Sequence, residues 1–337
     1  MGDGGPAMPV FALVLIAAIA TSAGLIVVLR PLLARYALAR PNARSSHRIP
    51  TPQGAGIAVI SATLLVASVY AAWANVAIPP ALVIATIVIA LVGLADDIVS
   101  LPVLVRLALQ AACVGAVVFT APETARIVPA LPLPLERGLI LLAGVWFVNL
   151  VNFMDGLDLM TVAEVVPVTA ALLLLGLLGD LSWPAALIAT ALCGAMLGFA
   201  PFNRPVAKVF LGDVGSLPIG LLLGWCLLEL AWQGQPAAAL LLPAYYLVDS
   251  TITLFRRIAR REQFWSAHRS HFYQRATDNG FTVAQVIGEV FVLNLVLALL
   301  AVVTVRAGST AAAIACLLAG AIAIAFVLRR FSRPQVS

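Results

Sequence analysis

The sequence predicts an all-α protein that crosses a membrane about eleven times. Hydrophobic residues make up 62% of the 337 residues and charged residues only 10%, and the mean hydropathy is +1.06. Soluble globular domains carry about 25% charged residues. Apolar runs long enough to cross a bilayer, which takes roughly 17–25 residues, follow one another along the whole chain. A polytopic membrane protein with no large soluble domain accounts for all three observations.

Eleven apolar runs are the predicted helices, and polar segments connect them within a single domain. The approximate limits of the runs are 9–29, 56–74, 79–95, 102–121, 138–151, 160–178, 184–200, 216–231, 237–255, 282–305 and 310–328. On one side of the membrane the connecting segments are predicted at about 30–55, 96–101, 152–159, 201–215 and 256–281. The first run is predicted to stay as a helix, because the N-terminus lacks the positive region of a signal peptide.

The basic residues predict which side is cytoplasmic. Sixteen of the twenty lie in one set of loops, and Arg106 near a helix start makes seventeen. The opposite side keeps Arg126, Arg137 and Arg306. Basic loops stay in the cytoplasm, so we expect the N-terminus outside and the C-terminus inside. The same asymmetry accounts for the net charge of +5 and makes nucleic acid a poor explanation for it.

The most informative stretch runs from Val206 to Leu217 and carries one acidic residue, Asp213, between two glycines. Lys208 precedes it, and Asn203 lies one short loop upstream. A carboxylate with backbone amides beside a lysine suits a diphosphate that carries Mg²⁺. Alone, the stretch would be better explained as a polar loop that ends a membrane helix. Further acidic and polar clusters at the same predicted membrane face favour the functional interpretation.

A pair of adjacent carboxylates, Asp96 and Asp97, ends the third predicted helix. Negative charge at a helix C-terminus is unfavourable, because it opposes the helix dipole. A cation or a proton must therefore compensate the pair, and stability alone would not select it. We interpret both residues as candidate catalytic groups.

Four polar residues at intervals of three follow the apolar part of the fifth predicted helix. They are Asn149, Asn152, Asp155 and Asp158. This spacing predicts one slowly drifting face at a helix end. Asparagines together with carboxylates suit a sugar, a ribose or a metal-bound phosphate, and a solvated helix end is the simpler alternative.

Two further segments combine histidine with arginine or glycine. In the first cytoplasmic loop, Ser46 and His47 precede Gly54 and Gly56, which is typical of a loop that contacts an anion. The last cytoplasmic loop holds the histidine–arginine group His268, Arg269, His271 and Arg275. A third zinc ligand is missing nearby, so we expect this group to contact a diphosphate or a lipid phosphate.

One carboxylate, Asp249, lies inside the ninth predicted run. An acidic residue within a membrane is a functional candidate by default. Arg256 and Arg257, seven and eight residues later, share its helical face, so a structural ion pair is an equally strong alternative. The remaining clusters all end on one predicted face of the membrane and together predict a magnesium-dependent site for a phosphorylated substrate.

These motifs resemble the polyprenyl-phosphate N-acetylhexosamine-1-phosphate transferase family, which is glycosyltransferase family 4. Four motifs match in order between about residues 44 and 280, and the two histidines of the last loop fall where the family has a histidine motif. The matching segments are Ser45-Ser46-His47 with Pro50 to Gly56, Asp96-Asp97, Asn152-x-x-Asp155-Gly-x-Asp158, and Asn203 with Lys208 to Ser216. The segment around Asp213 is the most specific of them.

The resemblance implies an enzyme of the bacterial cytoplasmic membrane that transfers a sugar 1-phosphate from a UDP-sugar to undecaprenyl phosphate and releases UMP. It implies that Asp213 holds Mg²⁺, with Mn²⁺ as an alternative. Asp96 and Asp97 would serve the lipid phosphate, one of them as a candidate base, with His271 as a further catalytic candidate. Nucleotide or diphosphate contacts would come from Asn152, Asp155 and Asn203. A homodimer is an open alternative.

Several positions depart from the family pattern. Leu159 stands where the family motif has glycine, and Gln53 and Ala55 replace an expected arginine and glycine. The peptidoglycan branch has a lysine shortly after the paired aspartates and three histidines in a row, whereas this chain has Ser100 and His-Arg-Ser-His. These differences favour the branch that initiates O-antigen and teichoic-acid synthesis over phospho-N-acetylmuramoyl-pentapeptide transferase.

Two alternatives come from other classes of protein. A secondary transporter would carry polar groups deep in several helices and inverted repeats, but only Asp249 is deep and no repeat is evident. A structural lipid-binding scaffold would not require the paired aspartates or the glycine-flanked Asp213.

Overall fold

The computed structural model describes residues 7–39, 50–263 and 269–335. Thirteen helices account for almost all of the regular structure in these ranges. They are α1 (Ala7–Tyr36), α2 (Gly56–Trp73), α3 (Pro80–Ile98), α4 (Val103–Phe119), α5 (Leu133–Met154), α6 (Met160–Leu177), α7 (Trp183–Phe199), α8 (Asp213–Trp232), α9 (Pro236–Leu241), α10 (Ala244–Ala259), α11 (Phe272–Asp278), α12 (Val283–Ala307) and α13 (Thr310–Phe331). Two short strands, β1 (Leu38–Ala39) and β2 (Thr51–Pro52), pair antiparallel.

The predicted fold class is confirmed. Within the described ranges, nine helices are long and apolar enough to cross a membrane, and α4 is a shorter apolar helix. The centre of the bundle is formed by α7 and α8, which have 78% and 83% of their apolar windows buried against other helices. The corresponding values for α1 and α13 are 22% and 28%, so these two helices form part of the lipid-facing exterior.

The ninth predicted run, 237–255, is not one continuous helix. It is divided into α9 and α10 at Leu242 and Pro243. Proline has no backbone N–H and its ring collides with the carbonyl four residues earlier, so Pro243 ends one helix and starts the next. The break leaves α10 as an amphipathic helix whose polar side faces the rest of the protein at Asp249, Ser250 and Thr253, all buried.

Several helices extend further than the hydrophobic runs predicted. Helix α1 continues through Arg30 and Arg35 to Tyr36, so the predicted loop at 30–55 starts later than expected. Helix α5 spans 22 residues, which removes the short fifth span of the prediction. Hydropathy marks only the apolar centre of a helix, and the polar turns at either end still complete its backbone hydrogen bonds.

Glycines allow three helices to approach one another closely next to Asp213. A Cβ added to Gly56 would lie 2.2 Å from the Cα of Gly215, and one added to Gly93 would lie 2.2 Å from the Asp213 carbonyl oxygen. Helix backbones can pack this tightly only where side chains are absent. Gly215, one of the two glycines that flank Asp213, therefore packs against α2.

Replacing Gly93 with alanine is expected to destabilise the protein, because the new methyl group would collide with the backbone of Asp213. Overpacking of this kind costs about 1–3 kcal/mol. The matched control is Gly138→Ala in α5, where nothing lies within 4 Å of the added Cβ. Thermal unfolding in detergent measures both variants, and a melting temperature of Gly93→Ala at or above that of the control would contradict this packing.

Candidate active site

The C-terminal end of α3 meets the N-terminal end of α8 through Asp97. Its carboxylate accepts hydrogen bonds from the backbone N–H groups of Asp213 at 3.0 Å and Val214 at 3.1 Å. The side-chain amide of Gln53 donates to the same carboxylate. The first N–H groups of a helix have no partner within the helix and carry its positive dipole end. Asp97 therefore caps α8, and the unfavourable charge at the end of α3 is compensated there.

Asp96 is compensated differently, by Arg106 near the start of α4. The Arg106 guanidinium donates to one carboxylate oxygen of Asp96, and the backbone N–H of Leu101 donates to the other at 2.7 Å. The same guanidinium nitrogen lies 3.9 Å from the Asp213 carboxylate. The turn between α3 and α4 thus places one cation beside both acidic groups.

Asp213 is the first residue of α8, and a side chain from α5 fixes its orientation. The Asn152 amide nitrogen donates to Asp213 Oδ1 at 2.7 Å and to the Ser216 hydroxyl at 2.9 Å. Asn152 lies in the last turn of α5 and is half-buried. The second oxygen of Asp213 remains on the side of Asp96 and Arg106. Three helix ends therefore converge on one carboxylate.

The loop before α8 is held by the segment that follows β2. The backbone N–H groups of Gly54 and Ala55 donate to the Phe210 carbonyl, and that of Gly56 donates to the Leu211 carbonyl at 2.8 Å. Gly212 has φ +77°, and a Cβ there would lie 2.7 Å from Asp97 Oδ2. Glycine is required at this position both for the left-handed backbone and for the approach of Asp97.

The four polar residues spaced by three do not share one helix face, because α5 ends at Met154. Asn149 is buried and its amide donates to Gln110 at 2.6 Å. Asp155 follows the helix and accepts a hydrogen bond from Thr161. Asp158 accepts one from the Ala207 backbone at 3.1 Å. Of the four, Asn152 alone contacts Asp213 directly, so the prediction of a shared face was wrong beyond the helix end.

Asp155 is nevertheless within electrostatic reach of the carboxylate cluster. Burial raises the pKa of Asp155 to about 6, and the negative charges of Asp97 and Asp158 add to this effect, while the hydrogen bond from Thr161 opposes it. A carboxyl with this pKa takes up a proton more readily than an exposed aspartate does.

Asn203 and Lys208 take different positions in the loop that precedes α8. The Asn203 side chain is buried, accepts from the Leu159 backbone N–H at 2.7 Å and donates to the Val209 carbonyl at 3.0 Å. It therefore links the loop between α5 and α6 to the loop that precedes α8. Lys208 is exposed. Leu159 has φ +62°, so leucine occupies a left-handed position that favours the glycine of the family motif.

His271 is buried, and its Nδ1 lies 3.1 Å from Asp249 Oδ1. Asp249 also accepts from the backbone N–H groups of Phe272 at 3.1 Å and Tyr273 at 3.4 Å. The alternative of an ion pair between Asp249 and the arginines that follow it does not match these contacts, and Arg257 pairs with Glu262 at 3.0 Å instead. Asp249 thus fixes both His271 and the start of α11.

Helix α11 packs onto the residues next to Asp155. The Tyr273 hydroxyl donates to the Phe153 carbonyl at 3.1 Å, and a Cβ on Gly156 would lie 2.2 Å from that hydroxyl. The Tyr273 ring stacks on His271 with centroids 5.7 Å apart. The predicted histidine and carboxylate segments therefore meet, although His271 itself faces Asp249.

The structure describes two of the five remaining residues that were predicted to contact the substrate. Arg269 donates to Thr277 at 3.4 Å and to Asp278 at 3.3 Å, and Arg275 is half-buried on α11. Ser46, His47 and His268 lie outside the described residues, so their predicted roles stay predictions.

The carboxylates at the start of α8 fit the requirements of Mg²⁺. Within the described ranges no group of three or more histidine, cysteine or acidic side chains is arranged as a metal site. Mg²⁺ does not need one, since it is held by one or two carboxylates, with water and substrate phosphates as the other ligands. Arg106 pairs with Asp96 and lies 3.9 Å from the Asp213 carboxylate, so two acidic groups lie beside one guanidinium.

Two residues of this cluster were not predicted from the sequence to belong to the site. Arg106 was interpreted as a basic residue near a membrane boundary, and Gln53 as a departure from a family motif. Arg106 lies in the first turn of an apolar helix, and charged residues within membrane segments generally pair with a specific partner. Its position could therefore have indicated an acidic partner nearby. No local signal pointed from Gln53 to Asp97.

The chain is similar in sequence to known proteins of one family. A family model described as glycosyl transferase family 4 matches residues 79–231, which include α3, α5 and most of α8. Decaprenyl-phosphate N-acetylglucosaminephosphotransferase of Mycolicibacterium smegmatis is 30% identical over 283 residues, covering 72% of this chain and 69% of the relative. The Mycobacterium leprae protein of the same name is 29% identical over 290 residues, covering 74% and 72%.

A second group of relatives carries a different name. Phospho-N-acetylmuramoyl-pentapeptide-transferase of Symbiobacterium thermophilum is 34% identical over 205 residues, covering 54% of this chain and 61% of the relative. Both groups agree with the matched family model and with the resemblance that the motifs indicate. The chain, a polytopic membrane protein with its carboxylate cluster at one end of the helix bundle, belongs to glycosyl transferase family 4.

Proposed function

We propose that this protein transfers a sugar 1-phosphate from a UDP-sugar to undecaprenyl phosphate at the cytoplasmic face of a bacterial inner membrane. The products are a lipid-diphosphate sugar and UMP, and the reaction is the first membrane step of cell-surface polysaccharide synthesis. One observation carries the proposal: Asp96, Asp97 and Asp213 meet beside Arg106 where two membrane helices end. A site at that depth can reach a lipid head group and a soluble nucleotide together.

In net terms the reaction forms one phosphoanhydride bond and breaks another. An oxygen of the lipid phosphate becomes bonded to the phosphorus that carries the sugar. The bond between that phosphorus and the UMP oxygen breaks, and UMP leaves with the electron pair. Such a reaction depends mainly on positioning and on stabilisation of charge. Bound Mg²⁺, or Mn²⁺ in its place, would supply Lewis-acid stabilisation of the diphosphate.

The residues of the chain have separable parts in this proposal. Asp213 and Asp96 would hold the metal, and Asn152 keeps the Asp213 carboxylate in one orientation through its 2.7 Å hydrogen bond. Arg106 limits repulsion between the two acidic groups and offers a donor to phosphate oxygens. Asp97 sets the position of the first turn of α8, which carries Asp213.

The sugar is proposed to be an N-acetylhexosamine, with N-acetylglucosamine, N-acetylgalactosamine and their 6-deoxy forms as the candidates. The Mycobacterium leprae and Mycolicibacterium smegmatis relatives are named as N-acetylglucosaminephosphotransferases, which supports an N-acetylglucosamine phosphate donor. The muramoyl-pentapeptide donor is the main alternative, because the Symbiobacterium thermophilum relative and others are named for it. Ser100 and the His-Arg-Ser-His segment favour the simpler sugars.

A donor panel tests the proposal. Purified protein in proteoliposomes with undecaprenyl phosphate would be supplied with each UDP-N-acetylhexosamine and with UDP-N-acetylmuramoyl-pentapeptide, and UMP release would be followed. We expect UMP release with one or more of the N-acetylhexosamine donors, which requires Mg²⁺ or Mn²⁺ and stops in excess EDTA. Turnover of the pentapeptide donor alone would contradict the proposed branch, and full activity in EDTA would contradict the metal.

A further inference from the structure

We propose that the C-terminal end of α13 forms a binding site for the head group of an anionic phospholipid, separate from the carboxylate cluster. A cavity of about 660 Å³ lies there. Its lining includes Arg329, Arg330, Arg333 and the rings of Phe281 and Phe326. This volume falls within the range of about 300–1,000 Å³ that is typical of sites for small molecules.

The cavity has an apolar side that faces lipid and a basic side at the end of the helix. Phe326 lies on the outer surface of α13 and is 68% exposed. Helix α13 itself is long and apolar enough to span a membrane. The arginines follow in the last turn of α13 and just beyond it. An apolar wall next to a basic wall at a membrane boundary matches a phospholipid, whose acyl chains and phosphate are arranged in the same order.

The basic side carries positive charge that no residue in the described ranges neutralises. Arg330 pairs with both carboxylate oxygens of Glu289, at 2.9 and 3.0 Å, and stacks over Phe281. Arg329 and Arg333 form no ion pair with any residue that the structure describes. A basic group near a membrane surface attracts anionic lipid by about 1 kcal/mol. Arg330 therefore fixes the wall, while Arg329 and Arg333 are available to a phosphate.

The cavity is built from two separate segments of the chain, which distinguishes it from a simple basic helix end. After α13 the chain turns back, and the Gln335 N–H donates to the Asn279 carbonyl at 2.8 Å. The Asn279 side chain donates to the Phe331 carbonyl at 2.7 Å, and the Phe281 and Phe331 rings meet edge to face at 5.7 Å. These contacts hold the turn after α11 against the end of α13.

This construction also places the cavity at the same end of the bundle as the carboxylate cluster. Helix α11 contacts α13 on one side and residues Phe153 and Gly156 on the other. The inference nevertheless does not depend on the proposed transferase activity, since it concerns lipid binding alone.

The test uses the purified protein in lipid nanodiscs or mixed micelles, with native mass spectrometry to count bound lipids. The probe is phosphatidylglycerol, and phosphatidylcholine is the neutral reference. The double variant Arg329→Gln/Arg333→Gln is expected to reduce specifically retained phosphatidylglycerol by about 30-fold or more, because charge-assisted hydrogen bonds to the phosphate are lost in addition to the general attraction of basic groups. Retention of phosphatidylcholine should not change.

The matched control is Arg260→Gln/Arg261→Gln, which removes the same charge from exposed positions after α10. If the control loses as much phosphatidylglycerol as the test variant, general attraction explains binding and the site is refuted. Displacement of the lipid by millimolar inorganic phosphate would equally refute a lipid site in favour of a free-anion site. Phe326→Ala serves as a second variant, because it leaves all charges intact and should still weaken retention; unchanged retention would contradict the apolar wall.

Discussion

Replacing Asp213 with asparagine is expected to lower the rate of UMP release by more than about 100-fold. Loss of a group that only supports a metal ligand costs about 10–100-fold, and loss of the ligand itself should cost more. The amide has nearly the same shape, so α8 can still begin at residue 213. A neutral amide oxygen is a poorer ligand for a hard cation than a carboxylate. The rate would be measured in proteoliposomes over a range of Mg²⁺ concentrations.

Asp180→Asn is the matched control for this variant. It also removes a carboxylate, one that pairs with Arg306 at 3.3 Å near the opposite end of α6 from the cluster. The control should retain the rate of the unsubstituted protein. If Asp213→Asn kept more than a tenth of the rate at saturating Mg²⁺, the assignment of Asp213 as a metal ligand would be wrong.

The apolar runs predicted the fold well because membrane helices are selected first by hydrophobic length. The runs at 56–74, 160–178 and 184–200 match α2, α6 and α7 to within a residue or two. The divided helix at Leu242 and Pro243 was missed, since its two halves together have the length and hydropathy of one span. Pro243 was the available signal, but proline is tolerated inside α1, α6 and α8 of the same protein.

The sequence predicted that several polar clusters meet at the candidate site. It did not predict which groups in these clusters contact one another. Charge at the end of α3 indicated that some compensating group must lie near Asp97, yet the sequence did not indicate that this group is the N-terminus of α8. The hydrogen bond from Asp213 N–H joins residues 116 positions apart. Such a contact depends on how the helices pack, which short-range patterns do not encode.

Asp249 is a second residue whose partners could not be predicted from local sequence patterns. Helical spacing suggested Arg256 and Arg257 as its partners, because only local neighbours can be inferred from periodicity. In the structure its partners include His271 and the first backbone N–H groups of α11, more than twenty residues further along the chain. A short helix that starts beside a buried carboxylate has its N-terminal donors satisfied, and this explains why acid is tolerated at that depth.

The position of Asp97 leads to the second prediction, which concerns Asp97→Asn. The carboxylate accepts two backbone N–H groups at the start of α8 and a third hydrogen bond from Gln53. An asparagine side chain would replace one of the two acceptor oxygens with an NH₂ group. That group would face the N–H donors of Gln53 and of the start of α8. We therefore expect the rate to fall by about 10²–10⁴-fold, the range for loss of a base or positioning carboxylate, with little change in KM for the UDP-sugar.

The concentration of Mg²⁺ required for half-maximal activity separates two roles for Asp97. If Asp97 acts by positioning Asp213, its loss should raise that concentration as well as lower the rate. If it acts only on the lipid phosphate, the metal requirement should stay constant. Gln53→Ala is the matched control, because it removes one donor to Asp97 and leaves both backbone bonds, and its effect should stay below tenfold. A steep rise in KM for the UDP-sugar at an unchanged maximal rate would instead place Asp97 in the donor site, because only binding of the nucleotide sugar would then depend on it.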